Sequence, residues 1–192
     1  MARGFSEQEK ENIKRNLVEC CKKNWTKYGY KKTSVDELCR QVGISKGAFY
    51  LFYESKETLF CEVLCYVQEQ ICMDVSKILE KKKGKEGVVD ALKYIYLEYD
   101  RNNFLYNAQS TDYMNLLNKL SGEEVEKIEK SNNMCQKLFL EHAHLNFKVS
   151  RELAMSVIYS LIMNIKNKDF LPYSHIETFD YMVGCMVDHL YE

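Results

Sequence analysis

Ser45, Lys46, Gly47 and Ala48, followed closely by Tyr50 and Tyr53, carry side chains suited to meeting a nucleic acid. Lys46 offers a cation to a guanine edge or a phosphate, and Ala48 a methyl that can touch the methyl of thymine. The two tyrosine hydroxyls can go to phosphate oxygens. Gly47 has no side chain, so another backbone can approach it closely. Upstream, Thr33 and Ser34 stand at a helix start, where hydroxyls and free N–H groups suit a phosphate. Lys56 is placed to play the same part downstream.

Other chemistries are less well supplied. Glu141-His142-Ala143-His144 contains a Glu-x-x-His spacing, but no second copy stands around His175 or His189, and a di-iron bundle needs one on each of two helices. The two imidazoles of a His-x-His on one helix also point about 200° apart, at about 100° per residue. Cys61, Cys65 and Cys72 fall within roughly 40° of one another on a helix. A redox or soft-metal stripe is one reading of them, packing at the edge of a core the other. No nearby arginine or histidine would lower a thiol pKa. There is no glycine-rich phosphate loop, nucleophile elbow or HExxH. The expectation is no enzyme, no metal and no cofactor.

The elements that must position the first group lie in Thr33–Lys56, TSVDELCRQVGISKGAFYLFYESK. A first short helix carries Val35, Leu38 and Val42, and Ser34 with Glu37 reads as a capping box at its start. Gly43 suits the left-handed exit of a helix. Ile44 anchors the turn, and Ser45 is an N-cap for a second helix over Lys46–Phe52. Phe49 faces inward with Leu38, Val42 and Ile44. Two helices joined by a tight glycine-containing turn make a helix-turn-helix, whose second helix enters the major groove.

GISKGAFYLFYESKETLF, with Thr33-Ser34 before it, resembles the signature of the TetR family of bacterial transcriptional regulators, over about Phe5 to Phe60. The resemblance implies nine helices, a DNA-reading head and a body that binds an effector. It implies operator contacts at the positions matching Thr33, Lys46, Tyr50 and Lys56. Residue 48 is often threonine in the family; alanine here removes one possible hydrogen bond and leaves more of the sequence choice to Lys46 and to DNA shape.

Composition fits. The chain has 192 residues, 46% hydrophobic and 29% charged, with a single proline, which favours long helices and argues against a turn-rich β fold. No apolar run reaches the roughly 18 residues of a membrane span, and MARGFSEQEKENIK has no apolar core of a signal peptide, so a cytoplasmic protein is expected. Residues 1–56 hold 12 Lys+Arg against 7 Asp+Glu, a net of +5, while the whole chain is at −1. A basic end on an acidic body suits a protein that meets phosphates at one end. Of the eight cysteines, most are expected reduced and buried.

Apolar periodicity places helices at about 6–28, 55–83, 86–101, 103–119, 122–146, 150–168 and 174–191, besides the two short ones. The expected fold is all-α, with a DNA-binding domain at 1–56 and an effector-binding and dimerisation domain at 57–192. Tyr94, Tyr96, Tyr99, Phe104, Tyr113, Met114, Phe139 and Met163 are candidates to line the implied pocket, with core packing as the alternative for each. The resemblance implies a homodimer through the last two helices, reading a pseudo-palindromic double-stranded DNA operator. The expected function is a ligand-responsive regulator, most simply a repressor released by a small molecule. The other class left open is a helical small-molecule- or metal-binding protein whose head no longer reads DNA.

Overall fold

The computed structural model describes residues 5–106, 110–142 and 146–192, with the side chains at 135, 136 and 138–142 outside that description. Among the described residues the fold is all-α, as expected. In chain order the helices are α1 (Glu7–Lys32), α2 (Val35–Val42), α3 (Lys46–Phe49), α4 (Lys56–Lys81), α5 (Gly84–Arg101), α6 (Thr111–Leu117), α7 (Gly122–His142), α8 (Arg151–Met163) and α9 (His175–Leu190). Short 3-10 turns cover Asn103–Leu105 and Asn164–Phe170. The extended pairing among the described residues is an isolated antiparallel bridge between Phe147 and Tyr191.

Caps explain where the first helices start. Ser6 Oγ accepts the Glu9 N–H at 3.3 Å, and the Glu9 carboxylate accepts the Ser6 N–H at 2.7 Å, a complete capping box. Ser34 makes only half of the expected box. Its Oγ accepts the Glu37 N–H at 3.2 Å, while the Glu37 carboxylate turns away to Arg40 and Gln41. Two expected long helices are broken. Ser110 caps α6 by accepting the Tyr113 N–H at 3.1 Å, a start signal inside the span 103–119. The helix expected to reach residue 168 tightens after Met163, where Asn167 donates to the Asn164 side chain at 3.2 Å, a side-chain alternative to the helical ladder.

The stop expected at Gly29 is a kink instead. Gly29 sits at φ 81°, ψ 171°, and helical structure resumes to Lys32. That backbone region is essentially open to glycine alone, and a Cβ there would lie 2.9 Å from Asp112 Oδ2. Gly29→Ala is expected to lower the unfolding free energy by about 1–3 kcal/mol. The readout is a lower urea midpoint at an unchanged m-value.

The chain packs as two units. The first comprises Met1–Val67 and Asn107–Glu129, the second Gln68–Tyr106 and Lys130–Glu192. In the first, Leu17, Cys21, Leu38, Phe49, Phe60 and Val63 are completely buried. The Trp25 and Phe60 rings lie 4.6 Å apart, with Tyr30 edge-on to Phe60 at 5.1 Å. In the second, α5 packs against α9, where Leu92, Tyr96, Phe179, Val183 and Val187 are all buried, and Tyr96 stacks on Phe179 at 3.8 Å. Each such large apolar side chain contributes roughly 1.5–3 kcal/mol on burial. These packing units divide the chain at places other than 56/57, because packing follows contact rather than what a residue touches in a complex.

Cys21, Cys39 and Cys61 are reduced and buried, and Cys20 and Cys65 are reduced and half-buried. Cys185 is exposed and Cys72 is disulfide-bonded, although most cysteines were expected to be reduced and buried. No helix among the described residues is long and apolar enough to cross a membrane.

Candidate nucleic-acid interface

Leu38 on α2 and Phe49 on α3 are completely buried, and α2 packs against both α1 and α3. Between α2 and α3 Gly43 takes φ 79°, ψ 31°, the left-handed exit, and its N–H donates to the Cys39 carbonyl at 2.9 Å. Ser45 Oγ then accepts the Ala48 N–H at 3.1 Å and starts α3. The regular part of α3 is one turn. Beyond it the Leu51 and Phe52 N–H groups donate to the carbonyls three residues back, at 3.1 and 2.9 Å, the tighter winding common at helix ends.

This build leaves Ser34, Ser45, Lys46, Gly47 and Tyr50 on the exposed side, with Tyr50 half exposed. Lys46 Nζ is 3.1 Å from the Asp36 carboxylate, and that partner holds the ammonium pKa above its ordinary value. The cation is thus parked on an exposed acid that a phosphate can replace.

Four of the residues expected to face DNA turn inward. Thr33 is buried, and its hydroxyl donates to the Gly29 carbonyl at 2.9 Å, closing the end of α1. Ala48 is buried. Tyr53 is buried with its ring centroid 5.7 Å from that of Phe49, and burial and the nearby Glu62 push its phenol pKa up. Both tyrosines lie past the single regular turn of α3, so a face projected as one continuous helix misplaces Tyr53. Lys56 folds back: its Nζ donates to the Tyr30 carbonyl at 2.7 Å and stands 4.0 Å from the Tyr30 ring centroid. Burial lowers its pKa.

Leu51, Asp36 and Arg40 are also exposed and were not singled out by sequence. Leu51 is 75% exposed. An exposed leucine reads as core in any apolar pattern, and the ten-residue gap between Asp36 and Lys46 has no helical periodicity to reveal the pair. Asp36→Asn is expected to free Lys46 and remove a carboxylate from the phosphate path. Non-specific duplex binding should tighten, and the slope of log K against log salt should steepen by about 0.9 per head, as measured by fluorescence anisotropy across a salt series.

Tyr113 and Met114 belong to the first packing unit, while Tyr94, Tyr96, Tyr99, Phe104 and Met163 belong to the second. Met114 is exposed, and Tyr96 and Phe104 are buried core. Tyr94 and Tyr96 leave α5 in different directions. The Tyr94 hydroxyl donates to Asp74 at 2.8 Å, and the Tyr96 hydroxyl pairs with His175 Nδ1 at 3.2 Å, its pKa pushed up to about 12 by burial. Tyr99 and Met163 are half-buried. The Phe139 side chain lies outside the described residues, as do those of His142 and His144. Hydrogen bonding with Cys65 and burial push the Cys61 thiol well above its ordinary range.

A helix-turn-helix capped in this way is the element with which DNA-binding transcriptional regulators enter the major groove. Residues 23–63 match the sequence profile of bacterial regulatory proteins, tetR family. The HTH-type transcriptional regulator YuxN of Bacillus subtilis is 36% identical over 77 residues, 40% of this chain and 25% of that protein. YhgD of the same organism, also an HTH-type transcriptional regulator, is 22% identical over 155 residues, 81% of this chain and 66% of that one. The matches thus span a quarter of the first relative and less than the whole of the second. In fold, the transcriptional regulator FadR from Bacillus subtilis, solved in complex with stearoyl-CoA, is similar with a TM-score of 0.66, over 91% of this chain and 98% of that one at 14% identity. The similarity to the TetR family of bacterial transcriptional regulators is thus carried in sequence by residues 23–63, while the likeness of fold extends over most of the chain.

Proposed function

We propose that the protein is a homodimeric repressor that binds a pseudo-palindromic operator and is released by a small molecule. The observation that carries the DNA-reading part is the Ser45-capped α3, which holds Lys46, Gly47 and Tyr50 outward on a core of Phe49 and Leu38. Lys46 exchanges Asp36 for a phosphate or a guanine edge. The exposed Tyr50 hydroxyl binds a phosphate, and the hydroxyls and N–H groups at Ser34 and Ser45 position the backbone. Thr33, Ala48, Tyr53 and Lys56 shape the head from within. Residues 1–56 read DNA, while 57–192 bind the effector and join the two protomers, in the cytoplasm.

Effector and operator are linked: whatever factor one changes the other's affinity by, the reverse holds equally. α4, which runs from the head at Lys56 to Lys81, is the element both would bias. Because a protein of the same fold is known with stearoyl-CoA bound, long-chain acyl-CoA is the first effector class to titrate. The test is selection of duplexes from a random pool by the full-length protein, followed by binding at several salt concentrations. Enrichment of a two-fold-symmetric sequence, bound with a steep salt dependence, is the expected result. A protein that enriches no duplex at low salt is not a DNA reader, and the reading as a helical small-molecule-binding protein takes its place.

A further inference from the structure

Lys119 stands in the connection between α6 and α7, far outside the head in sequence, yet it reaches the head's frame. Its Nζ lies 3.3 Å from Glu57 Oε1 and 5.6 Å from the Tyr30 ring centroid. The same Glu57 carboxylate accepts the Tyr30 hydroxyl. From the other side Lys56 Nζ donates to the Tyr30 carbonyl and covers its ring. Tyr30 is 3% exposed and the Glu57 side chain 17%, while the Lys119 side chain is 59% exposed, so the carboxylate end of the pair is shielded and the ammonium end meets solvent. A second tie runs alongside, Lys31 to Asp112 of α6 at 3.8 Å.

The position of this cluster matters more than its strength. Tyr30 lies just before the Ser34 cap of α2, and Glu57 lies in the first turn of α4, shortly after α3. The two residues are the entry and exit of the helix-turn-helix, and their hydrogen bond ties one to the other. Lys119 is the cation that holds the tie from outside. We propose that Lys119 is a positioning residue for DNA reading, which fixes the angle of α2 and α3 by keeping the Glu57 carboxylate on the Tyr30 hydroxyl. This rests on the head being a DNA reader.

The discriminating measurement is the affinity of full-length variants for a duplex enriched by the wild type, taken across a salt series. Lys119→Met keeps the length of the side chain and removes its charge. It is expected to weaken binding by about tenfold or more with an unchanged salt slope, because Lys119 neutralises no phosphate. Lys119→Arg restores binding to near wild type. Glu57→Gln, which retains a hydrogen-bond acceptor for Tyr30 but not the ion pair, reproduces the loss with the same unchanged slope, and stands in if Lys119→Met does not fold. Lys46→Ala serves as the contrast, losing affinity and slope together. Wild-type affinity in Lys119→Met or in Glu57→Gln overturns the proposal. So does a slope that falls in Lys119→Met as it does in Lys46→Ala, since that marks a direct phosphate contact. A wild type that enriches no duplex overturns the DNA-reading function itself and this role with it.

Discussion

Lys46→Ala combined with Tyr50→Ala is expected to abolish sequence-selective DNA binding while the helical circular dichroism spectrum and the melting temperature stay close to wild type. The two halves of that expectation have separate physical grounds. A good base contact is worth about 1–3 kcal/mol, and a phosphate contact adds a salt-dependent share. A two-headed protein loses each contribution twice, so the summed loss is about 4 kcal/mol or more, roughly a thousandfold in affinity. Folding loses little, because Tyr50 is half exposed and the Lys46 side chain 54% exposed. The Lys46–Asp36 pair is an exposed one, worth about 0–1 kcal/mol. Phe49→Ala is the opposite case. Its side chain is completely buried between the two helices, and a phenylalanine removed from such a site costs about 3–5 kcal/mol. That variant should lose DNA binding together with helical signal, so the pair separates a reading residue from a supporting one. Undiminished gel shifts by the double variant on a selected duplex would remove Lys46 and Tyr50 from the interface.

Much of the head was legible in sequence because its determinants are local. A serine cap acts within three residues, and a glycine exit is a matter of one residue's backbone, so Ser34, Gly43 and Ser45 stand where their types indicated. Phe49 was also readable, since it is the apolar residue in register with Leu38 across a short turn. Side-chain direction past the first turn of α3 was not. A periodic projection assumes a continuous helix, whereas the chain tightens after Phe49 and turns the Tyr53 ring inward. The inward setting of Thr33 and Lys56 was hidden for a different reason: their partners, the Gly29 carbonyl and the Tyr30 ring, are backbone and aromatic acceptors that no charge pattern reveals. The long-range ties were the least visible. Nothing in the residues around Lys119 points to Glu57, because pairing across more than sixty residues depends on how α6 packs, and α6 itself lay hidden in what read as one longer helix. The aromatic residues show the same limit, since Tyr94 and Tyr96 are two residues apart yet bond to Asp74 and His175 on different sides of α5.

A charge placed in the groove between α8 and α9 should turn the protein into a monomer. Seen within one protomer, α8 directs Ala154, Ile158 and Ile162 inward, and α9 does the same with Phe179, Val183 and Val187. The opposite side of the two helices forms a groove of about 550 Å³ lined by Ser156, Val157, Ser160, Leu161, Asn164, Met182 and Met186. Leu153 and Tyr181 stand nearby, 52% and 77% exposed. Ser156 and Ser160 are small and one turn apart, so another helix can come close, and Val157, Leu161 and the two methionines offer apolar contact. A second copy of the same pair, related by a two-fold axis, fits that pattern, and every residue of such an interface is met twice. In Val157→Arg each copy would bury a guanidinium with no counter-charge in the groove. An uncompensated buried charge costs about 3–5 kcal/mol, a weakening of the dimer by at least about a hundredfold. Ala154, Ile158 and Ile162 are untouched, so the helical spectrum should persist. Light scattering at micromolar protein should give the wild type twice the 22.7 kDa chain mass and the variant the single chain mass. The variant should also lose the affinity that comes from placing two heads on one symmetric duplex, retaining only single-head binding. A wild type that scatters as a monomer at these concentrations, or a Val157→Arg protein that remains a dimer, would show that α8 and α9 do not join two copies and that the heads are not paired through them.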